Sequence, residues 1–327
     1  MMQGHRYFAR WEALLLAFLV ATFVFGTAMS EYFFTASNIS IAIAAFIPAA
    51  IVALAMTMII VTGEIDISVG SIIGLCAAVM GLCLERSLPL AVAMPISVMV
   101  GALAGLGNGL LVAYVGLPSL VVTVGTLALY RGLAQIILKE RGVTDFPEWY
   151  TNLGFGTIGA TPIPWTLLIF IAFAVMIAVY LHGTRWGRAL YAIGNNREAA
   201  RFSGIDVKRT MLGLFVTSGV MCSVAAIILT AYLASARADT AVGFELQVVT
   251  AVVLGGVSIF GGSGTLGGVA IALFVLAFVQ NALGLAGVTP EAQQIATGGV
   301  LIVTLIVFSA ARLIRSKAAT RRLRGRA

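Results

Sequence analysis

Charged residues are scarce in this 327-residue chain: 20 Lys and Arg and 13 Asp and Glu make up only 10% of it. A soluble domain carries about 25% charged residues, so these side chains are too few to cover a surface that faces water. In contrast, 60% of the residues are hydrophobic and 36 are glycine. The composition excludes a disordered chain and an ordinary cytosolic enzyme, and it favours a protein whose surface faces lipid.

Residue types that build disulfides, metal sites and hydrolytic centres are equally few. The chain has three cysteines, all inside apolar runs, and two histidines that flank such runs: Cys76, Cys83, Cys222, His5 and His182. An odd number of buried thiols provides neither a disulfide framework nor a metal-ligand spacing. The apolar runs also lack a Ser/His, His/Glu or paired-Asp constellation. We therefore expect no metal site, no cofactor and no catalytic residue.

Lysine is rare enough to exclude one nucleotide-binding motif. A P-loop needs Gly-Lys followed by Ser or Thr. The three lysines, Lys139, Lys208 and Lys317, are each followed by another residue type. If ATP drives this protein, a separate subunit must hydrolyse it.

Long apolar runs dominate what is present. Ten of them can be recognised, the third and eighth being short: residues 11–30, 41–61, 72–84, 90–115, 120–138, 165–181, 211–233, 246–260, 266–285 and 295–313. A membrane-spanning helix needs about 20 apolar residues. The sequence therefore predicts an all-α polytopic membrane protein, with about ten transmembrane helices in a single domain over residues 1–327.

The basic residues indicate how the chain is oriented. Most of them lie in three segments: the N-terminal residues Arg6 and Arg10, the loop 185–209 and the tail 312–327. Six apolar runs separate the first two segments and four separate the last two, so all three fall on one side. Because Lys and Arg stay on the cytoplasmic side, we expect both termini and the loop in the cytoplasm. We favour this reading of the basic tail over binding to nucleic acid.

The loop 185–209 contains the signals of a short helix. Asn195 or Asn196 can cap it, Glu198 then falls in its first turn, and Gly204 can end it. The candidate docking residues of this loop are Gly194, Asn195, Asn196, Glu198, Ala199, Ala200, Arg201, Gly204 and Ile205. We interpret the segment as a docking helix with a small, flat surface at Ala199 and Ala200, the alternative being a solvated connector.

Two glycine-containing interruptions resemble each other. Residues 60–71 read IVTGEIDISVGS and residues 252–263 read VVLGGVSIFGGS. Paired interruptions of apolar helices point to a transport site. The candidates for a translocation path or gate are Glu64, Asp66, Ser68, Gly70, Ser71, Asn108, Gly262 and Ser263. As alternatives, Glu64 and Asp66 can cap the third helix at an interface, and Asn108 can be an interhelical hydrogen-bond partner.

The wetter stretch 139–164 is expected on the outer side. We place Tyr130 and Arg131 at the outer end of the fifth span, beside the charged residues Lys139, Arg141, Asp145 and Glu148. This surface can dock a soluble protein by complementary charge, or its side chains can simply snorkel at the interface.

Four ordered stretches resemble one family, the permeases of ATP-binding cassette importers of the ribose type. Residues 63–71 resemble its G-G-I-D-L-S-V-G-S signature, with Glu64 in place of the commoner glycine. Residues 105–126 hold Gly-Asn-Gly at 107–109, residues 252–264 resemble the glycine-rich stretch of the family, and residues 188–210 resemble its coupling-helix region. The similarity covers about residues 40–310.

The resemblance implies a permease subunit in the inner membrane of a bacterium, with the loop 185–209 as its coupling loop. Its partners would be two cytoplasmic ATP-binding cassette subunits, a second permease subunit and a periplasmic sugar-binding protein. The substrate would be a pentose, a deoxyhexose such as rhamnose, or a sugar-like signal of the autoinducer-2 type. The alternative from the residues alone is an ion-coupled secondary transporter, which needs intramembrane acids.

Overall fold

The computed structural model of the chain describes residues 2–159 and 161–306, with side chains from residue 11 onward. It is a bundle of helices, and the described residues contain isolated bridges but no strand. The helices are α1 (Met2–Met29), α2 (Ala36–Val61), α3 (Val69–Glu85), α4 (Leu90–Leu110), α5 (Ser119–Leu138), α6 (Glu148–Phe155), α7 (Trp165–Ala178), α8 (Arg185–Asn195), α9 (Arg197–Phe202), α10 (Val207–Leu233), α11 (Phe244–Leu254), α12 (Leu266–Leu285) and α13 (290–306).

The all-α prediction is confirmed, but the number of spans is resolved only in part. Seven helices among the described residues are long and apolar enough to cross a membrane: α1, α2, α4 with its π-helical extension to Val115, α5, α7 with its extension to Gly183, α10 and α12. The third and eighth runs form the shorter α3 and α11, of 17 and 11 residues. The tenth run lies partly, and the basic tail 312–327 wholly, outside the described residues.

Helix α2 is the centre of the bundle. It is apolar on every side, and 89% of its most apolar window is buried. A helix that is hydrophobic all round belongs in an interior rather than at a surface. Helix α10 packs beside it and crosses α4 closely, since a Cβ atom on Gly101 or Gly105 of α4 would collide with the backbone of α10.

The bundle has two distinct ends. Val207, at the start of α10, follows the helices α8 and α9, and we call this the α9 end. Near the other end of α10, the Tyr150 hydroxyl of α6 lies 2.7 Å from the carbonyl oxygen of Ile227, and we call this the α6 end. The 27 residues of α10 separate the two ends by about 40 Å at 1.5 Å per residue.

The connection between α10 and α11 runs back into the bundle along α3. Glycines of α3 make room for it: a Cβ atom on Gly81 would meet Ala236, and one on Gly74 would meet the carbonyl oxygens of Ala238 and Thr240. Helix α11 therefore begins inside the bundle and, at 11 residues, is about 16 Å long. That is about half of the hydrocarbon thickness of a bilayer.

Candidate functional site

The loop 185–209 folds into two helices rather than one. Thr184 caps α8 by accepting a hydrogen bond from the Gly187 amide, and this helix was not expected from the sequence. Asn196 caps α9: its side-chain oxygen accepts from the Ala199 amide at 2.9 Å. The predicted short helix, with Glu198 in its first turn, is confirmed, and Asn196 rather than Asn195 is its cap.

Helix α9 ends as its glycine predicts. Gly204 has a φ of +84°, a conformation that costs little only for glycine. Its amide donates to the carbonyl oxygen of Arg201, and the amide of Ile205 donates to that of Ala200. These two bonds form a Schellman motif, which satisfies the last carbonyls of the helix. The result is a short helix with fixed ends.

The side chains of α9 divide into an inward and an outward face. Ala200 is buried, whereas Ala199, Glu198 and Arg201 are exposed. The expectation that Ala199 and Ala200 share one flat outer surface is therefore wrong, because neighbouring helical residues point in different directions. The Phe202 side chain is 88% exposed. Sequence reasoning gave this residue no docking role, although it is an aromatic residue between the basic residues of the loop.

Two breaks between helices meet α8 at the α9 end. We call residues 62–68, between α2 and α3, the first break, and residues 255–265, between α11 and α12, the second break. The Gly262 amide donates to the carbonyl oxygen of Val61 at 2.8 Å. A Cβ atom on Gly194 would collide with both of these groups. The end of α2, the second break and the end of α8 therefore touch at one point.

Two side chains of α8 reinforce this junction. The Tyr191 hydroxyl donates to the carbonyl oxygen of Gly264 at 3.0 Å, and the Asn195 amide lies 3.3 Å from that of Gly262. Burial raises the pKa of Tyr191 to about 12, so its hydroxyl keeps its proton at neutral pH. Ser263, beside them, is exposed.

Glu64 and Asp66 have different environments. Glu64 pairs with Arg197, the first residue of α9, at 2.8 Å. Asp66 is fully buried and accepts hydrogen bonds from the amide and the hydroxyl of Ser68. Because Ser68 is the N-cap of α3, Asp66 stabilises the start of this helix. The sequence placed both acids together as helix caps or as residues of the path. The structure separates them, because only Glu64 reaches the surface.

Asp66 belongs to a buried polar network. Its second oxygen accepts from the Ser218 hydroxyl of α10 at 3.0 Å. The Asn108 amide of α4 donates to the Ser68 hydroxyl at 2.8 Å, and the Tyr130 hydroxyl of α5 lies 3.4 Å from the Asn108 oxygen. Asn108 is thus an interhelical hydrogen-bond partner, which is the alternative that the sequence left open. Among the described residues, no Lys or Arg forms an ion pair with Asp66.

Other candidates of the first interruption lie inside α3. Ser71 is buried and donates its hydroxyl to the carbonyl oxygen of Ser68. Gly70 is buried, and a Cβ atom there would collide with the Glu245 carboxylate of α11. The two short helices α3 and α11 therefore approach each other at their first turns.

Tyr130 and Arg131 do not lie at the outer end of the fifth span, as the sequence suggested. Tyr130 is buried, and Arg131 lies seven residues before the end of α5. The Arg131 guanidinium donates to the carbonyl oxygens of Ala238, Thr240 and Gly70 at 2.7–3.1 Å. A single arginine within an apolar run was the signal for this role.

The chain is similar to one family of known proteins over most of its length. The family model described as "Branched-chain amino acid transport system / permease component" matches residues 38–305. The "Autoinducer 2 import system permease protein LsrD" of Photorhabdus luminescens is 36% identical over 310 residues, which cover 93% of this chain and 92% of the relative. The protein of the same name from Yersinia pseudotuberculosis serotype O:3 (strain YPIII) is 37% identical over 303 residues, 91% of this chain and 90% of the relative.

No solved structure matches the chain. The family model spans most of the sequence, and the relatives exceed 30% identity over more than two thirds of it. The chain therefore belongs to this family of transport-system permeases and is a multi-pass protein of the bacterial inner membrane.

Proposed function

We propose that this permease moves a small sugar-like molecule of the autoinducer-2 type into the cell. Permeases of this family work with an ATPase and a substrate-binding protein and have no ATPase site of their own. The relatives named for autoinducer-2 import support the substrate class, and their similarity extends over almost the whole chain. Because the chain belongs to this family, the alternative of an ion-coupled secondary transporter is excluded.

The observation that carries the coupling proposal is the α8–α9 pair with its exposed side chains. The permease of an importer needs a surface to which the soluble ATPase subunit binds, so that movements driven by ATP hydrolysis are transmitted to the permease. Helix α9 projects Ala199, Arg201 and Phe202 outward and is anchored inward by Ala200. Exposed aromatic residues next to arginines are typical anchors of protein interfaces. We assign the ATPase-docking surface to these three residues.

The proposed topology puts the α9 end in the cytoplasm and the α6 end in the periplasm. Trp11, next to the basic N-terminal residues, donates to the carbonyl oxygen of Leu254 at 2.8 Å, close to the second break. The N-terminal segment and the basic loop thus share one end of the bundle, in support of the positive-inside prediction. The binding protein would then dock on residues 139–164 at the α6 end.

The outer faces of the helices are the surfaces on which the remaining partners, membrane lipid and a second permease subunit, would bind. Large apolar side chains are exposed on α1, α4, α5 and α7, which suits contact with membrane lipid. One such face would be covered by a second permease subunit, either a second copy or a related chain. The sequence leaves both pairings open.

Docking of the ATPase can be tested with Ala199→Trp and Phe202→Ser. Interface anchors cost about 2 kcal/mol or more when removed, which corresponds to about a thirtyfold loss of affinity. We expect the ATPase subunit to stop co-purifying with either variant, while the permease still inserts. The matched control is Trp149→Ser, an aromatic residue that is also exposed but lies at the α6 end. Normal co-purification with both α9 variants would refute the docking surface.

Testing the proposed substrate class requires an assay of transport. Permease, ATPase and binding protein are reconstituted in liposomes, and uptake of labelled autoinducer-2, ribose and rhamnose is compared. We expect ATP-dependent uptake of autoinducer-2 to exceed that of either sugar. Uptake of a branched-chain amino acid in its place would overturn the substrate proposal and leave the docking proposal intact.

A further inference from the structure

An ion pair joins the proposed ATPase-docking helix to the first break. The Arg197 guanidinium lies 2.8 Å from a carboxylate oxygen of Glu64. Arg197 is the first residue of α9, and Glu64 lies 133 residues earlier, three residues beyond the end of α2. Among the ion pairs of the described residues, this is the one that connects the loop 185–209 with either break.

The pair is too exposed to be a major source of stability. The Arg197 side chain is 50% exposed and that of Glu64 is 13% exposed. Partly exposed pairs of this kind contribute little to stability, because water screens them and two long side chains lose freedom. A contact of this size does not hold the bundle together, but it can fix where α9 sits relative to the first break.

The first break leads from Glu64 directly into the buried network. The Ile65 amide donates to the Ser119 hydroxyl of α5 at 3.1 Å. One residue further, Asp66 accepts from Ser68 and from Ser218 of α10. Ser68 in turn accepts a hydrogen bond from Asn108 of α4. The four residues that follow Glu64 therefore contact three helices, α4, α5 and α10.

On the other side of the junction, two side-chain hydrogen bonds attach α8 to the second break, from Tyr191 to Gly264 and from Asn195 to Gly262. Gly194 packs against Val61, the last residue of α2, and against Gly262 of the second break with no room for a side chain, so α8 cannot approach either of them further without a collision. The Gly194 contact resists a closer approach, because its atoms already touch, but it exerts no attraction when the helices move apart. The ion pair is attractive and can also pull the first break when α9 moves away.

We propose that Arg197 and Glu64 are positioning residues that transmit the movement of α9 to the first break, and thereby to the helices around Asp66. The proposal rests on the docking role of α9. It assigns to Glu64, the residue that departs from the family signature, a task in coupling rather than contact with the substrate. Loss of either charge should uncouple ATP hydrolysis from transport while the ATPase stays bound.

The test compares neutral variants with an exchanged pair. Arg197→Gln and Glu64→Gln each remove one charge, and the double variant Glu64→Arg with Arg197→Glu restores an attractive pair in reverse. The control is Arg209→Gln, which removes an exposed ion pair of the same loop that stays within one element, to Asp206. In liposomes, ATP hydrolysis is measured with and without substrate-loaded binding protein, together with uptake and ATPase co-purification.

We expect both single variants to lose stimulation by about fivefold or more, the lower range of allosteric coupling between sites. The exchanged pair should recover most of it, and Arg209→Gln should match the unmodified protein. Full stimulation in both single variants, or no recovery in the exchanged pair, would overturn the proposal. Loss of ATPase co-purification with Arg197→Gln would also overturn it, because Arg197 would then be a docking residue. If α9 does not dock the ATPase at all, the Ala199 and Phe202 variants reveal that separately.

Discussion

Gly70 on α3 and Glu245 on α11 are packed so closely that a methyl group on Gly70 would overlap the Glu245 carboxylate. The same methyl group would lie 2.7 Å from the carbonyl oxygen of Ala241. The two short helices thus begin against each other, and glycine is the residue that permits it. This contact fixes how far each of them reaches into the bundle.

Gly70→Ala is expected to destabilise the permease. Overpacking costs about 1–3 kcal/mol, and here one of the colliding atoms belongs to the backbone and cannot rotate away. The thermal unfolding temperature in detergent should fall. The matched control is Gly213→Ala on α10, where a Cβ atom meets nothing within 4 Å. Alanine favours helix over glycine, so the control should be neutral or slightly more stable. Equal unfolding temperatures for the two variants would contradict the contact.

Arg131→Lys should loosen the connection between α10 and α11. The guanidinium bonds three carbonyl oxygens, two of them on this connection, and a single ammonium group cannot reach all three. Each lost hydrogen bond is worth about 0.5–1.5 kcal/mol. We expect faster proteolysis within residues 234–243. Arg141→Lys, whose partner Glu85 lies at the surface, should leave cleavage unchanged; equal protection in both variants would remove Arg131 from this role.

Asn196→Ala should make α9 fray. The side chain caps the helix through the Ala199 amide, and losing such a cap costs about 0.5–2 kcal/mol. Hydrogen exchange of the amides at 199–203 should accelerate by about 2- to 30-fold. Ser203→Ala, at the other end of the helix, provides the comparison. Unchanged exchange in Asn196→Ala would mean that tertiary contacts alone hold α9.

The proposed topology can be tested with single cysteines at positions 197 and 149. Both side chains are exposed, at opposite ends of the bundle. The native Cys76, Cys83 and Cys222 are buried, so the background of labelling should be low. An impermeant thiol reagent added outside should label position 149 but not 197. The reverse result would invert the orientation. Tyr150, another residue of this loop, is unsuitable because it is fully buried.

Arg141→Glu should weaken docking of the binding protein at low salt. Arg141 is 61% exposed in its ion pair with Glu85 and lies on the proposed periplasmic surface. Exposed charges act over about 10 Å at 0.1 M salt, so the effect should shrink as salt is added. Glu85→Gln breaks the same ion pair without reversing the charge of Arg141. If both variants bind alike at every salt concentration, Arg141 lies outside the interface.

The local features of the site follow from local rules, and its long-range contacts do not. Asn196 and Gly204 were predictable because capping depends on residues three or four positions away. The Glu64–Arg197 pair links residues 133 positions apart, so only the folded chain reveals it. Asp66 and Glu64 looked alike in the sequence. Their environments differ because the burial of a carboxylate depends on the residues that fold over it, and these are distant in the sequence.

Apolar runs indicated where helices lie but not how long they are or which way they face. The eighth run, 246–260, gave an 11-residue helix because Gly255 and Gly256 end it early. Tyr130 and Arg131 resembled an outer boundary, yet the helix continues to Leu138. A polar residue in an apolar run has two readings, a boundary or a buried contact, and only its neighbours decide between them.

The shortness of α11 has a consequence for how this segment is held in the membrane. A segment that spans about half of the hydrocarbon core cannot enter the bilayer alone, because its exposed backbone ends would lie in lipid. The hydrogen bonds that Arg131 donates to Ala238 and Thr240 form only once α5 and α3 are in place. We therefore expect the segment 234–254 to be stabilised in the bilayer by its contacts with α3 and α5 rather than as a separate span.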